Sequence, residues 1–139
     1  MAKKFNITGT CLPGTHYMAD TSGKLRQIMA MVEGGDYFII NRPRQYGKTT
    51  TLYLLTQRLR QSEEYLPIKT SFAGVGDDVF ETEDAFYQMV LLGWQKQLRI
   101  LGETGLEQWI SEKNQYAGNL AVLSETILEL CRKTHRKIV

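Results

Sequence analysis

The sequence is poor in cysteine: Cys11 and Cys131 are its only two, and they lie far apart in the chain. Two lone cysteines give neither the framework of a disulfide-stapled secreted domain nor the paired spacing of a zinc site. A single Cys11–Cys131 bridge stays open as an alternative, and a reduced cytosolic chain is the expectation. Long apolar runs are missing as well. Nothing approaches the ~18 consecutive residues that cross a bilayer. Met1-Ala2-Lys3-Lys4 leads into mixed polar residues, not into the apolar core of a secretion signal. Nor is there an excess of either charge: 17 Lys plus Arg against 15 Asp plus Glu leave a formal +2, whereas a dedicated nucleic-acid binder carries a strongly basic face. With three prolines there is no Pro-rich linker, and no low-complexity tract or internal repeat is found. What remains is a cytoplasmic, globular chain without a membrane partner.

What is present fits that class. The 139 residues are 42% hydrophobic and 23% charged, enough for one domain, or a piece of one, with its own core. A short strand is expected around Tyr17 and Asp20. A helix follows, with Leu25, Ile28, Met29 and Val32 at i, i+3, i+4 and i+7. Ser22 or Thr21 is its candidate cap and Gly34-Gly35 its stop. Tyr37-Phe38-Ile39-Ile40 is an unbroken apolar, β-favouring run, and such runs belong to strands covered on both faces. Residues 49–61 return to helical spacing through Leu52, Leu55 and Leu59. Leu66, Ile68, Thr70 and Phe72 alternate as in a second strand, with Pro67 arguing for an edge position or a strand start.

Past the loop at Gly74-Val75-Gly76-Asp77-Asp78, Thr82 with Glu83 and Asp84 announces a long helix. Its expected buried stripe is Phe86, Met89, Val90, Trp94, Leu98 and Leu101, and Gly102 ends it. A short helix over 106–112 comes next, then one capped by Asn119 that carries Leu120, Leu123, Ile127, Leu130 and Cys131. Lys137-Ile138-Val139 opens another strand. This alternation predicts an α/β fold.

The segment that carries chemistry is Asn41-Arg42-Pro43-Arg44-Gln45-Tyr46-Gly47-Lys48-Thr49-Thr50. A phosphate-binding loop reads G-x-x-x-x-G-K-[ST] between a buried strand and a helix. Successive amides of loop and first turn point at the phosphates, and the helix dipole adds positive potential. The second glycine lets backbone approach phosphate, the lysine bridges the β- and γ-oxygens, and the Ser/Thr hydroxyl ligates Mg²⁺. Gly47, Lys48 and Thr49 fill the last three positions, and Arg42 stands where the first glycine belongs. That glycine serves turn geometry, for which Pro43 offers comparable rigidity.

The run from Arg42 through Thr50 closely resembles the phosphate loop of the prokaryotic AAA-ATPase-like family. His16-Tyr17-Met18 with Asp20, and Ser71-Phe72-Ala73-Gly74 with Gly76 and Asp77, are also similar to segments of that family. The resemblance covers essentially the whole chain. It implies a P-loop NTPase-like parallel-sheet sandwich with helices on both faces, of which residues 1–139 would be the N-terminal part. Within it, 1–35 would form an N-terminal segment and helix, and 36–139 the loop strand, its helix and the elements that follow. It further implies ATP and Mg²⁺ as ligands. A C-terminal ATPase portion and a PD-(D/E)XK nuclease-like domain would follow as further partners, with nucleic acid entering by analogy alone.

On that resemblance Arg44, Gln45, Tyr46, Gly47, Lys48, Thr49 and Thr50 form the nucleotide site. Lys48 is the catalytic lysine and Thr49 the metal ligand. Arg44 stays open between a phosphate or arginine-finger role and a solvated loop arginine. Arg42 is expected to cap the strand end, His16 to make structural hydrogen bonds, and the basic run over 132–137 to be a solvated helix tail. Asp77 and Asp78 suit a position before a helix more than a metal site. Trp94 and Trp109 are expected in the core or an interface. P-loop ATPases also place an acid after a second buried apolar strand, to hold Mg²⁺ and polarise water, and the chain has no such run. Three classes remain: a nucleotide-binding fragment of an ATPase that binds without turnover, a non-hydrolysing interaction or regulatory module, and a DNA-associated ATPase. Self-association through uncovered apolar edges is expected of the fragment.

Overall fold

In a computed structural model the structure describes residues 3–6, 10–12, 14–18, 20–41 and 47–139. The chain forms two compact units, Met1–Ser62 and Glu63–Val139.

In the first unit, α1 (Ser22–Gly34) packs against α2 (Lys48–Arg60). Ile28 and Val32 are the buried residues of α1, while α2 buries Leu55, Leu59 and the polar Thr50. The expected helix spacing is borne out, and so is the stop: Gly35 takes the left-handed conformation at φ 72°. The start differs from expectation. Thr21 sits at the cap without a side-chain bond, and Asp20 Oδ1 instead accepts the Ser22 amide at 2.9 Å. That bond, backed by the Ser22 side chain, holds the Asp20 carboxyl below its ordinary pKa. The strand expected near Tyr17 reduces to an isolated parallel bridge between Lys4 and His16.

In the second unit, β1 (Tyr65–Leu66) and β2 (Lys137–Ile138) form a parallel pair in the register Tyr65↔Lys137 and Leu66↔Ile138. A 3₁₀ turn over Asp77–Phe80 and three helices, α3 (Glu83–Leu101), α4 (Thr104–Lys113) and α5 (Leu120–Thr134), connect the two strands. The Ile68 amide donates to Val139 O at 2.8 Å, and the Lys137 amide to Glu64 O at 2.9 Å. Even-numbered residues of β1 therefore face β2, which leaves Pro67 on the open side, where a missing donor costs the ladder nothing. The core centres on Leu66, Tyr87, Leu91, Leu98 and Ile110. On α3 the expected Val90 and Leu98 are buried, Tyr87 and Leu91 join them from outside the expected stripe, and Phe86, Met89 and Trp94 are only partly buried. Asn119 caps α5 as expected, its Oδ1 accepting the Val122 amide at 2.9 Å.

The expected parallel-sheet sandwich is overturned. Among the described residues five α-helices dominate, and the β-structure is one two-stranded sheet and the isolated Lys4–His16 bridge. The run at 37–40 was expected as a central strand covered on both faces, yet no strand is assigned there. Tyr37 is fully exposed and Ile39 90% exposed, while Phe38 and Ile40 are half-buried. Cover on alternate residues alone marks a segment covered on one side, which four apolar residues in a row cannot distinguish from a buried strand. The strand expected through Phe72 also stops early. Ala73 donates to Ser71 Oγ at 3.3 Å and Gly74 turns left-handed, so the chain leaves the ladder.

Candidate phosphate-binding site

The site is built from the first turn of α2. Gly47 occupies its cap position at φ 75° and ψ 23°, a left-handed conformation that a side chain enters only with strain. The chain then turns right-handed from Lys48 onward. A left-handed residue followed by right-handed ones is the backbone form in which the amides of an anion-binding nest converge. Gly47 has no side chain to cap the helix, so the first-turn amides keep no intrahelical partner, and the dipole adds positive potential there.

Lys48 and Thr49 are exposed at the helix start, and among the described residues neither side chain has a bonded partner. An exposed, uncommitted hydroxyl at this position fits a single-oxygen ligand for Mg²⁺, a hard cation that prefers oxygen. Thr50 behaves differently: it is buried, and its Oγ1 accepts the Cys11 amide at 3.1 Å. It can give a site its backbone amide but not its hydroxyl. Thr51 turns its hydroxyl back to Gly47 O at 2.9 Å. Arg44, Gln45 and Tyr46, with Arg42 and Pro43, lie outside the described residues.

The N-terminal segment meets this turn through Thr50. Asn6 Nδ2 contacts the Cys11 thiol at 3.6 Å. The Leu12 amide donates to His16 Nδ1 at 3.0 Å, the structural role expected of that histidine. The Lys4–His16 bridge sets Phe5 beside Tyr17 with ring centroids 4.9 Å apart. Sequence reasoning missed Phe5, because a single pair of bridged residues has no periodic signature. Cys11 and Cys131 are both free thiols.

In the second unit Asp77 and Asp78 open the 3₁₀ turn, and among the described residues no group of three or more His, Cys, Asp or Glu side chains gathers. The basic run is largely engaged. Lys133 lies over the Trp109 ring at 5.3 Å, Arg136 pairs with Glu103 at 2.7 Å and Lys137 pairs with Glu64 at 2.8 Å. Trp94 donates to Thr70 Oγ1 at 3.1 Å on the flank of the core. No helix among the described residues is long and apolar enough to cross a membrane. Comparison with family models, with curated proteins and with solved structures finds no match to this chain.

Proposed function

We propose that this chain binds a nucleoside triphosphate, ATP with Mg²⁺, at the loop that ends in Gly47-Lys48-Thr49-Thr50. The observation that carries the reading is the left-handed Gly47 leading directly into α2 at Lys48. It gives the loop's last residues the backbone form that an anion nest requires. Lys48 supplies a mobile positive charge to the phosphates, Thr49 the oxygen for Mg²⁺, and the amides of Lys48 to Thr50 the neutral donors. The role of Arg44 as a phosphate contact rests on the resemblance of residues 42–50 to the AAA-ATPase-like loop. Binding is the activity proposed. Hydrolysis needs a carboxylate after a buried apolar strand, and this sequence has no such run.

Calorimetry of the whole chain with Mg²⁺·ATP tests the reading, with Lys48→Ala as control. Lys48 is exposed, so its removal should abolish binding and leave the fold intact. Equal affinity in the two proteins overturns the assignment.

A further inference from the structure

We infer that Phe5 and Tyr17 form the platform on which the base of the bound nucleotide stacks, an inference that rests on the phosphate-site reading. The geometry begins with the backbone. Lys4 and His16 bridge in parallel, the Tyr17 amide donating to Lys4 O at 3.0 Å and the Lys4 amide to Thr15 O at 2.9 Å. The residues that follow on each side, Phe5 and Tyr17, are therefore cross-strand neighbours on one face. Their rings lie 4.9 Å apart with 31° between planes, a tilted aromatic pair. In the first unit it is the only such pair among the described residues.

Exposure gives the pair its meaning. Phe5 is 83% exposed and Tyr17 56% exposed, so each ring touches the other and shows solvent its remaining surface. Rings of this size normally bury most of their area. A planar π-face held open, on residues that backbone bonds set side by side, is what a nucleobase needs from a protein.

Position gives it an occupant. The segment that carries the pair is fastened to the phosphate-binding turn itself, by Cys11 N to Thr50 Oγ1 at 3.1 Å and then by Leu12 N to His16 Nδ1 at 3.0 Å. Tyr17 is the residue after His16. The α2 turn offers amides, an ammonium group and a hydroxyl, all suited to phosphate and metal and none to a flat apolar ring. The two features divide one ligand between them. Stacking accepts any base with a large π-face, so the expected ligands are purine nucleoside triphosphates without strong discrimination between adenine and guanine.

The experiment is titration calorimetry of the whole chain with Mg²⁺ and four probes: ATP, GTP, CTP and inorganic tripolyphosphate. It compares wild type with Phe5→Ala, Tyr17→Ala and Tyr17→Phe. Wild type should bind ATP and GTP more tightly than CTP or tripolyphosphate. Each alanine variant should lose about 5- to 100-fold in ATP affinity and keep its tripolyphosphate affinity, while Tyr17→Phe keeps both. Unchanged ATP affinity in both alanine variants overturns the platform, as does an equal loss for ATP and tripolyphosphate. Wild type that binds ATP and tripolyphosphate alike overturns the platform and leaves the phosphate site standing. Wild type that binds none of the four overturns both.

Discussion

Thr50 Oγ1 accepts the backbone amide of Cys11 at 3.1 Å, so two adjacent threonines of one helical turn have opposite surroundings. Thr49 faces solvent and Thr50 faces inward. Removing each hydroxyl should therefore move a different observable. Thr50→Val leaves the Cys11 amide without its acceptor in a part-buried setting and should cost about 1–2 kcal/mol in urea unfolding. Thr49→Val should leave stability unchanged and weaken Mg²⁺-dependent nucleotide binding more than Mg²⁺-free binding. Identical binding losses with and without Mg²⁺ would argue against a metal role for Thr49.

Gly47→Ala isolates the backbone contribution to the site. A Cβ at this position meets nothing within 4 Å, so sterics with neighbours do not oppose it. The cost is conformational: at φ 75° an alanine is strained by about 1–2 kcal/mol. Relief by rotating Gly47 out of the left-handed region would dissolve the nest. The expected outcome is loss of tripolyphosphate and ATP binding together, with a loss of stability no larger than the strain of about 1–2 kcal/mol and unchanged helix content by circular dichroism. Retained binding would place the phosphates elsewhere.

Much of this chain was legible where local chemistry decides the structure. Thr82 caps α3 by accepting the Ala85 amide, Asn119 caps α5, and Gly35 and Gly102 end their helices left-handed. Each of these is settled within four residues, so sequence spacing suffices. The sheet was not legible in this way. Tyr37 to Ile40 carries a strand's composition, but a strand also needs a partner edge, and four residues say nothing about partners. On α3 the sequence shows a broad apolar face, and its centre is set by what packs on it; Leu66 and Ile110 draw Tyr87 and Leu91 inward. The site divides along the same line. The glycine, lysine and threonine positions are readable as a motif, whereas the Thr50–Cys11 bond and the Phe5–Tyr17 pair join residues distant in sequence.

Glu107 gives a pH prediction. Its Oε1 accepts from Arg99 Nη2 at 2.7 Å and from Gln95 Nε2 at 3.2 Å. The Arg99 bond first, and the Gln95 bond second, hold its carboxyl below the ordinary glutamate value. In the unfolded chain the same carboxyl takes up its proton at higher pH, so between the two pKa values the unfolded state binds more protons. The contribution is therefore complete above the ordinary glutamate pKa of about 4.3 and is lost as pH falls through the lowered folded value. Glu107→Gln should flatten the acid limb of stability there and leave stability near pH 7 little changed, since the Arg99 partner is largely exposed. An acid limb identical to wild type would show that the pair contributes nothing to folding.

Gly118 lies hard against the buried ring of Tyr87 in the second unit. Glycine here serves close approach: a Cβ on Gly118 would meet Tyr87 Cδ1 at 2.5 Å and Cε1 at 2.6 Å, ring carbons of a side chain only 1% exposed. Nor is the loop free to retreat. The Gly118 amide donates to Asp84 Oδ1 at 2.8 Å and the Leu120 amide to Glu83 Oε2 at 3.1 Å, so the start of α5 hangs on the first turn of α3. Gly118→Ala must push Tyr87 off its packing or stretch both anchors, and such overpacking costs about 1–3 kcal/mol. Trp94 and Trp109 both lie in this unit, so urea unfolding followed by tryptophan fluorescence reads the loss directly. Tyr87→Ala removes all the ring carbons that collide. In that background the added methyl group should cost at least 1 kcal/mol less, a coupling that a double-mutant cycle isolates. Equal costs in the two backgrounds would move the origin of the strain from the ring to the backbone of the loop.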